Sequence, residues 1–552
     1  MDRRSFEQML SRRTTRRRAL QAGVIGSGLI GLSFAGAPTR SYARQATPEG
    51  VATAVPVDLQ SQPSAQFGTY PFQLGVASGD PQATGVVLWT RIAPAPIDGG
   101  GMDPLPYELT WEVATDEAFG SVIQTGTAVA APTLAHSVHV DVTGLQPATD
   151  YYYRFIIGDE VSPIGRTRTA PAAGQAIDAV NFAFVSCANF EHGYFTAYRD
   201  IARQNFDVVF HLGDYIYEYA ANDYNVREPE NLRLADGGET LTLELYRNRY
   251  ALYHTDRDLQ AVHASAPFVV TWDDHEVDNN YADDLSEHED PIDEFLQRRA
   301  DAYQAYYEHM PLRTSSLPIG PDMQLYRHLS YGDLLDFTVL DTRQYRSDHP
   351  AGDGTYPRTI GATAPETSIT GAEQERWLLQ NLDRSTSVWN VIAQQVIMAE
   401  TYVPITEGQA QTYYTDSWSG YPGSRDRILQ HIQDAAISNP VVLTGDIHTA
   451  WAADLKADFA DPSSATVGTE YVCTSITAGG TTPDTWGQAY VDNFDYIKFF
   501  DGRHGGYTAV TLTADQWTSD YYAVDNLDDE NSTATKYATW VTEAGNPGAQ
   551  QG

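Results

Sequence analysis

Phe210-His211-Leu212-Gly213-Asp214-Tyr215-Ile216-Tyr217-Glu218 is the stretch that orders the rest of the chain. An apolar strand, Asp207-Val208-Val209-Phe210, runs directly into a Gly-Asp turn, with Tyr217 three residues past the aspartate. A strand that stops on a carboxylate sets that carboxylate at the rim of a sheet, where α/β proteins keep their sites. Alone, a Gly-Asp turn is usually just a turn. Four further apolar runs end comparably, in Ser186-Cys187, in Asp273-Asp274-His275-Glu276, in Asp341-Thr342-Arg343 and in Thr444-Gly445-Asp446-Ile447-His448. In a sheet, all five ends converge on one rim.

So many anions cannot sit together unpaired, because mutual repulsion protonates or disorders them. Bound cations resolve the conflict. Asp446 and His448 are two apart, so on extended backbone they face the same way. Asp214 and Tyr217 are three apart, so on a helical turn they meet. Both spacings suit chelation.

The pattern around these ends alternates strands and helices between residues 176 and 515. Strands are expected at 180–186, 206–212, 267–272, 334–340, 389–396, 440–443 and 506–513, and helices at 242–254, 295–310 and 424–435. Another helix follows Thr370, with Glu373 completing a capping box. Leu245, Tyr246, Arg249, Tyr250 and Tyr253 recur at helical spacing and read as core. Residues 67–170 are all-β instead. Tyr107–Ala114 alternates with period two, and Leu145-Gln146-Pro147-Ala148-Thr149-Asp150-Tyr151-Tyr152-Tyr153 has the form of a tyrosine corner in a fibronectin type III-like sandwich. Its default role is packing, with polysaccharide binding as the rival. Residues 44–66 read as a linker and 516–552 as a polar C-terminal tail, in which Trp540 docks locally.

The first 43 residues differ in composition. Seven arginines up to Arg18 precede an uncharged run from Ala19 to Ala37, and Ser41-Tyr42-Ala43 is a small-x-small cleavage site. Thr15-Arg16-Arg17-Arg18-Ala19-Leu20 is similar to a twin-arginine signal, which implies export through that machinery and a secreted or cell-envelope location. The run is rich in glycine and poor as an anchor, so no membrane span is expected in the mature chain. The chain carries a formal charge of −38, with lysine only at Lys456, Lys498 and Lys536. Such a surface repels nucleic acid and anionic membranes, leaving nucleic acid only as a substrate. An anionic substrate then needs local positive charge, which metal ions supply. Cys187 and Cys473 are the two cysteines, and a disulfide between them is the plain reading in an exported protein.

The order Gly-Asp-x-x-Tyr, an Asp-His-Glu loop, then Gly-Asp-x-His resembles the calcineurin-like metallophosphoesterases. More closely, Ser186-Cys187, the stretch from His211 to Tyr219, that from Thr271 to Tyr281, Leu340-Asp341-Thr342-Arg343-Gln344-Tyr345-Arg346 and Thr444-Gly445-Asp446-Ile447-His448 resemble the PhoD-type alkaline phosphatases. The resemblance spans about residues 70–510. It implies an α/β fold with a metallophosphoesterase-type β-sandwich core flanked by helices, preceded by the fibronectin type III-like all-β domain. It also implies Fe(3+) and Ca(2+), and hydrolysis of phosphomonoesters and phosphodiesters by attack of a metal-activated hydroxide or oxide on phosphorus. Cys187, Asp214, Tyr217 and Asp446 would hold the iron, with Asp214 bridging to calcium. His448, Asp273, Asp274 and Asn280 would complete the calcium sites. Cys473 then becomes a small core residue. His275 is expected beside the metals as an acid or supporting donor, and Arg343 either binds phosphate or pairs with Asp341. Trp418 and Tyr421 are expected on a loop over the pocket. The alternatives are phospholipase D-like activity at the same site, a purple-acid-phosphatase-like pair of transition metals, and a cell-surface binding protein with structural metals. The second is disfavoured by the Asp273-Asp274-His275-Glu276 and Gly445-Asp446-Ile447-His448 loops.

Overall fold

The computed structural model describes residues 67–226, 230–235, 237–402, 410–479 and 484–552. The expected signal peptide and linker lie outside the described residues. Among the described residues no helix is long and apolar enough to cross a membrane.

Two sheets form the centre of the molecule. In the first, Val180–Val185, Val208–His211 and Phe268–Val270 run parallel. In the second, Leu335–Val339, Trp389–Ala393, Pro440–Thr444 and Thr466–Val472 run parallel. The facing surfaces are apolar: Phe182, Phe184, Phe210 and Val269 meet Phe337, Val391, Val441 and Tyr471 in one buried cluster. Strands covered on both faces read as unbroken apolar runs, which is why these segments were legible in the sequence. The five site-bearing strand ends therefore come from two sheets facing each other rather than from one rim. An isolated parallel bridge between Ser186 and Ser475 joins the sheets at that edge.

Helices cover the outer faces. Leu243–His254 and Ile292–His309 pack Tyr246, Tyr250, Tyr253, Tyr303 and Tyr306 onto the first sheet, as the helical spacing predicts. Gly371–Arg384 and Pro422–Asp434 cover the second. The expected capping box is not formed. Thr370 makes no side-chain cap bond, and the Ser368 hydroxyl takes the Gly371 N–H at 3.0 Å instead.

The all-β unit has its tyrosine corner: the Tyr151 hydroxyl accepts the Gln146 N–H at 2.9 Å. Tyr107–Ala114, Val122–Ala130 and Asp150–Ile157 form one of its layers. The other layer, Val76–Gln82, Gly85–Arg91 and Ser137–Thr143, is not a separate sheet. Val76–Gln82 pairs in parallel with Phe268–Val270, so it continues the first central sheet, which reaches ten strands. The boundary near residue 170 is thus crossed by backbone hydrogen bonds.

The C-terminal segment is not a tail. Gln516–Val524, Ala534–Glu543 and Asn546–Gln551 are the last three strands of the same sheet. Trp517, Ser519 and Tyr521 point inward between polar Gln516, Thr518 and Asp520, but one inward position is small and the strand ends on buried Ala523-Val524, so the alternation is faint in the sequence. Trp540 does dock locally, 5.7 Å from the Phe499 ring.

Behind the first sheet His211, His254, His263 and His309 are buried together, with the Tyr215 hydroxyl 3.1 Å from His254 Nε2 and 2.8 Å from His263 Nε2. Burial pushes His211 and His254 down to about 3, and His263 and His309 well below the usual range. Their unfolded value is about 6.5. The unfolded chain therefore binds more protons as the pH falls through 6.5 toward 3, and stability present above that window is lost within it. His254→Gln is expected to lose less melting temperature between pH 7 and pH 4 than the parent chain; thermal melts across that range check this.

Candidate metal centre

Five of the site residues, all in loops that follow strands, hold a backbone conformation few residues adopt. Cys187, Asp214, Asn280, Asp446 and His448 have φ of 61°, 55°, 50°, 61° and 59°. Non-glycine residues in this left-handed region are uncommon and concentrate at functional sites. The two Gly-Asp turns also need their glycines. A Cβ on Gly213 would lie 2.5 Å from Asp273 Cβ, and one on Gly445 would lie 2.6 Å from the Ser186 side chain. Neighbouring elements pass too closely there for any side chain.

Three groups of ligand-type atoms result, each with its members within 4.8 Å of one another: Cys187, Asp214 and His448; Asp214, Asp274 and His275; Asp273, Asp274 and Asp446. Asp214 belongs to two of them, as a bridging carboxylate would. The Tyr217 hydroxyl donates to Asp214 Oδ2 at 2.9 Å and lies 3.1 Å from His448 Nε2. Asp446 and His448 do not share one extended face, as their spacing suggested. Their left-handed turn sends His448 toward Cys187 and Asp446 toward Asp273 and Asp274. The side chains of Asp446 and His448 are 10% and 14% exposed against 2% for Asp214, so the centre opens to solvent on their side.

Both cysteines are free thiols in the core. The Ser186 hydroxyl stands between them, 3.1 Å from Cys187 Sγ and 3.4 Å from Cys473 Sγ. The disulfide reading is not realised.

Groups outside these sets fix the geometry. Glu276, quoted in the motif but given no role, accepts the Asp214 N–H at 3.1 Å, the Asp273 N–H at 2.8 Å and the Tyr215 N–H. Its carboxylate thereby ties two strand ends together. Glu218 accepts His275 Nδ1–H at 2.8 Å and the Asn279 N–H at 3.0 Å. From the tyrosine-lined helix, Tyr253 accepts the Tyr217 N–H at 3.2 Å, and Arg249 donates to the Tyr217 carbonyl. Helical spacing marked both residues only as core.

Arg343 is fully buried and does not pair with the Asp341 side chain through its guanidinium. Its Nε donates to Asp273, and its fork holds Asp416 at 2.8 and 2.9 Å. Its Nη2 lies 3.7 Å from Asp274 and 3.8 Å from Asp446. Asp341 instead accepts the Arg343 and Gln344 N–H groups, closing the turn. Trp418 and Tyr421 are buried as well. Trp418 Nε1 donates to Gln394 at 3.0 Å and Tyr421 Oη to the Ser347 carbonyl at 2.9 Å, so they pack a core and line no opening. Their segment contributes Asp416, which is bonded further to Arg346 and His349. Asp353, which no motif marked, accepts from Asn280 Nδ2 at 2.8 Å.

The electrostatics call for cations. Burial, then Asp214, pushes the Cys187 thiol and the Tyr217 phenol far up. Burial also raises Asp214 and Asp446 well above the carboxylate range, Asp273 to about 6 and Glu276 to about 8. Burial opposes the charge of Asp274 too, but Arg343 and His275 outweigh it and hold Asp274 below the usual range. For His275, burial is outweighed by Glu218, Asp274 and Asp214, which raise it. Buried Asp214 Oδ1, Asp273 Oδ2, Asn279 Oδ1 and Asn280 Oδ1 have no hydrogen-bond partner among the described residues. Orphaned oxygens of this kind in a carboxylate cluster fit metal ligation, and binding releases the protons that burial retains.

The chain matches the family model described as PhoD-like phosphatase over residues 182–521, and that of the PhoD-like phosphatase N-terminal domain over residues 58–171. It is 48% identical over 489 residues to alkaline phosphatase D of Bacillus subtilis (strain 168), covering 88% of this chain and 83% of that protein. A solved structure described as "Structure of PhoD" superposes with a TM-score of 0.85 at 48% identity, covering 88% of this chain and 93% of that one.

An amide at position 276 offers one acceptor oxygen to three backbone donors. Glu276→Gln is expected to lower stability by about 1–3 kcal/mol, the range for a buried donor left unsatisfied. Denaturant unfolding measures it, and elemental analysis of the same sample should show reduced metal content.

Proposed function

Since the chain belongs to the PhoD-like phosphatase family, we propose that it hydrolyses phosphomonoesters and phosphodiesters at the centre formed by the five strand ends. The observation that carries this reading is the meeting of a thiol, a phenol, four aspartates and orphaned amide oxygens at one buried edge. We further propose Fe(3+) and Ca(2+) as the ions. Thiolate and phenolate donors at Cys187 and Tyr217, grouped with Asp214 and with His448 rather than the Asp446 that the resemblance implied, suit a transition metal of high charge. Carboxylate and amide oxygens of Asp273, Asp274, Asp446 and Asn280 suit calcium. When bound, such ions supply charge neutralisation for the phosphate and make water acidic enough to lose a proton near neutral pH.

The chain's own residues do the positioning. Glu276 fixes the backbone of Asp214 and Asp273 together. Asp416 holds the Arg343 fork, so its charge faces Asp273, Asp274 and Asp446 and is in place before a phosphate arrives. Glu218 commits Nδ1–H of His275, so proton exchange with the leaving oxygen would run through Nε2. The ester enters past Asp446 and His448, where the centre meets solvent. The arginine pair at Arg16 and Arg17 supports export by the twin-arginine route to the outside of the cell.

Asp214→Ala is expected to abolish hydrolysis of 4-nitrophenyl phosphate, a larger fall than the roughly 10–100-fold that loss of a supporting outer-shell partner costs; undiminished turnover would defeat the metal model. Cys187→Ser is expected to lower iron content and any visible tyrosinate-to-iron absorption, while calcium content holds. Elemental analysis with absorption spectroscopy distinguishes this from a purely structural thiol.

A further inference from the structure

Tyr219 and Tyr224 stand beside the centre without belonging to it, and their placement is built rather than incidental. Tyr224 lies 6.2 Å from the Tyr217 ring and 5.8 Å from Tyr219, edge to face with the latter. Tyr219 lies 5.3 Å from the His275 ring, also edge to face. Both tyrosines are half-buried and pack against Cys187, Tyr217 and Ala478. Behind them Glu191 is buried and accepts the Asn222 N–H at 2.9 Å, the Ala235 N–H at 2.8 Å and Asn231 Nδ2 at 3.0 Å, which fixes the turn that carries Tyr224. His192 Nε2 bonds the Tyr224 carbonyl at 2.8 Å, and its Nδ1 accepts the Gly479 N–H at 3.1 Å. A Cβ on Gly479 would touch His448 Nδ1 at 2.8 Å, so this chain of contacts ends on the ligand that faces solvent. The result is a fixed aromatic wall running from Tyr217 along the open side of the centre.

Resting on the reading of the chain as a phosphate-ester hydrolase, we propose that Tyr219 and Tyr224 form a leaving-group subsite for esters whose alcohol is aromatic or heteroaromatic. A phosphate that enters past the exposed edges of Asp446 and His448 meets the wall on the side adjoining Tyr217 and His275. Ring faces and edges give a planar leaving group offset-stacked and edge-to-face contacts that a small alkyl alcohol cannot make. These contacts form in ground and transition state alike, so the subsite acts on affinity for the ester.

The test uses the metal-loaded, full-length enzyme and two competitive inhibitors that share the phosphonate head, phenylphosphonate and methylphosphonate. The parent enzyme is expected to favour the phenyl compound. Tyr219→Leu and Tyr224→Leu are each expected to cut the ratio of the two inhibition constants about fivefold, as edge-to-face and stacked ring pairs predict, whereas Tyr224→Phe retains it. A ratio that stays put in both leucine variants overturns the subsite, including the case in which both constants weaken together because the wall merely supports the ligands. Parent enzyme that turns over glycerol phosphate and 4-nitrophenyl phosphate but shows no phenyl preference overturns the subsite alone. Parent enzyme that turns over neither overturns the hydrolase reading and the subsite with it.

Discussion

Like charges are gathered at a mostly buried edge that meets solvent beside Asp446 and His448. Asp214 and Asp274 bring carboxylate oxygens within 4.8 Å of one another, as do Asp273, Asp274 and Asp446, and a pair of unit charges 4 Å apart interacts by about 4 kcal/mol even at an effective dielectric of 20. Nearly every polar feature around the centre answers this repulsion. Arg343 sets one guanidinium among three of the aspartates, and Asp416, Arg346 and His349 form the buried network that keeps it there. Backbone N–H groups neutralise Glu276 and Asp274. What these groups leave uncompensated, the orphaned oxygens and the burial-raised acids, is the capacity for metal ions.

The fold supplies the rigidity this arrangement requires. Two sets of parallel strands from facing sheets deliver their ends to the same edge, and left-handed turns at Cys187, Asp214, Asp446 and His448 set those side chains there. Gly213 lets the turn pass close against Asp273 and Gly445 lets its turn pass close against Ser186, so that Asp214 reaches two groups of ligands. Strain of this kind persists only where surrounding structure over-determines it. The apolar cluster of Phe182, Phe210, Phe337 and Trp517 between the sheets provides that constraint from below.

The first sheet is longer than the catalytic unit needs, and both extensions brace the centre. On one side strands of the all-β unit pair with Phe268–Val270, directly before the Asp273–Glu276 loop. On the other, the C-terminal strands carry a turn whose Glu530 and Ser532 carbonyls accept from Arg199 at 2.7 and 2.9 Å. Leu527 of the same turn packs on Gly193 and Gly505. That contact bears on the segment containing Glu191 and His192, which holds the aromatic wall.

Local sequence rules carried the central strands, the tyrosine-lined helices and most of the candidate ligands. Strands buried on both faces must be apolar throughout, tyrosine-lined helices repeat at 3.6 residues, and a strand that ends in Gly-Asp must put its carboxylate at an edge; each is a local rule that survives without a partner. Cys187, Asp214, Tyr217, Asp273, Asp274, His275, Asp446 and His448 were legible for that reason. Tertiary structure alone decided how they are shared. A left-handed φ at Asp446 and His448 parts two residues that extended geometry would align, and burial takes Trp418 and Tyr421 out of the pocket. Glu218, Glu276, Asp353 and Asp416 act across 61, 62, 73 and 73 residues of intervening chain, and the faint alternation of the last three strands gains meaning only against Gly506–Leu512. Long-range hydrogen bonds and burial depend on what the folded chain brings together, and no local pattern encodes them.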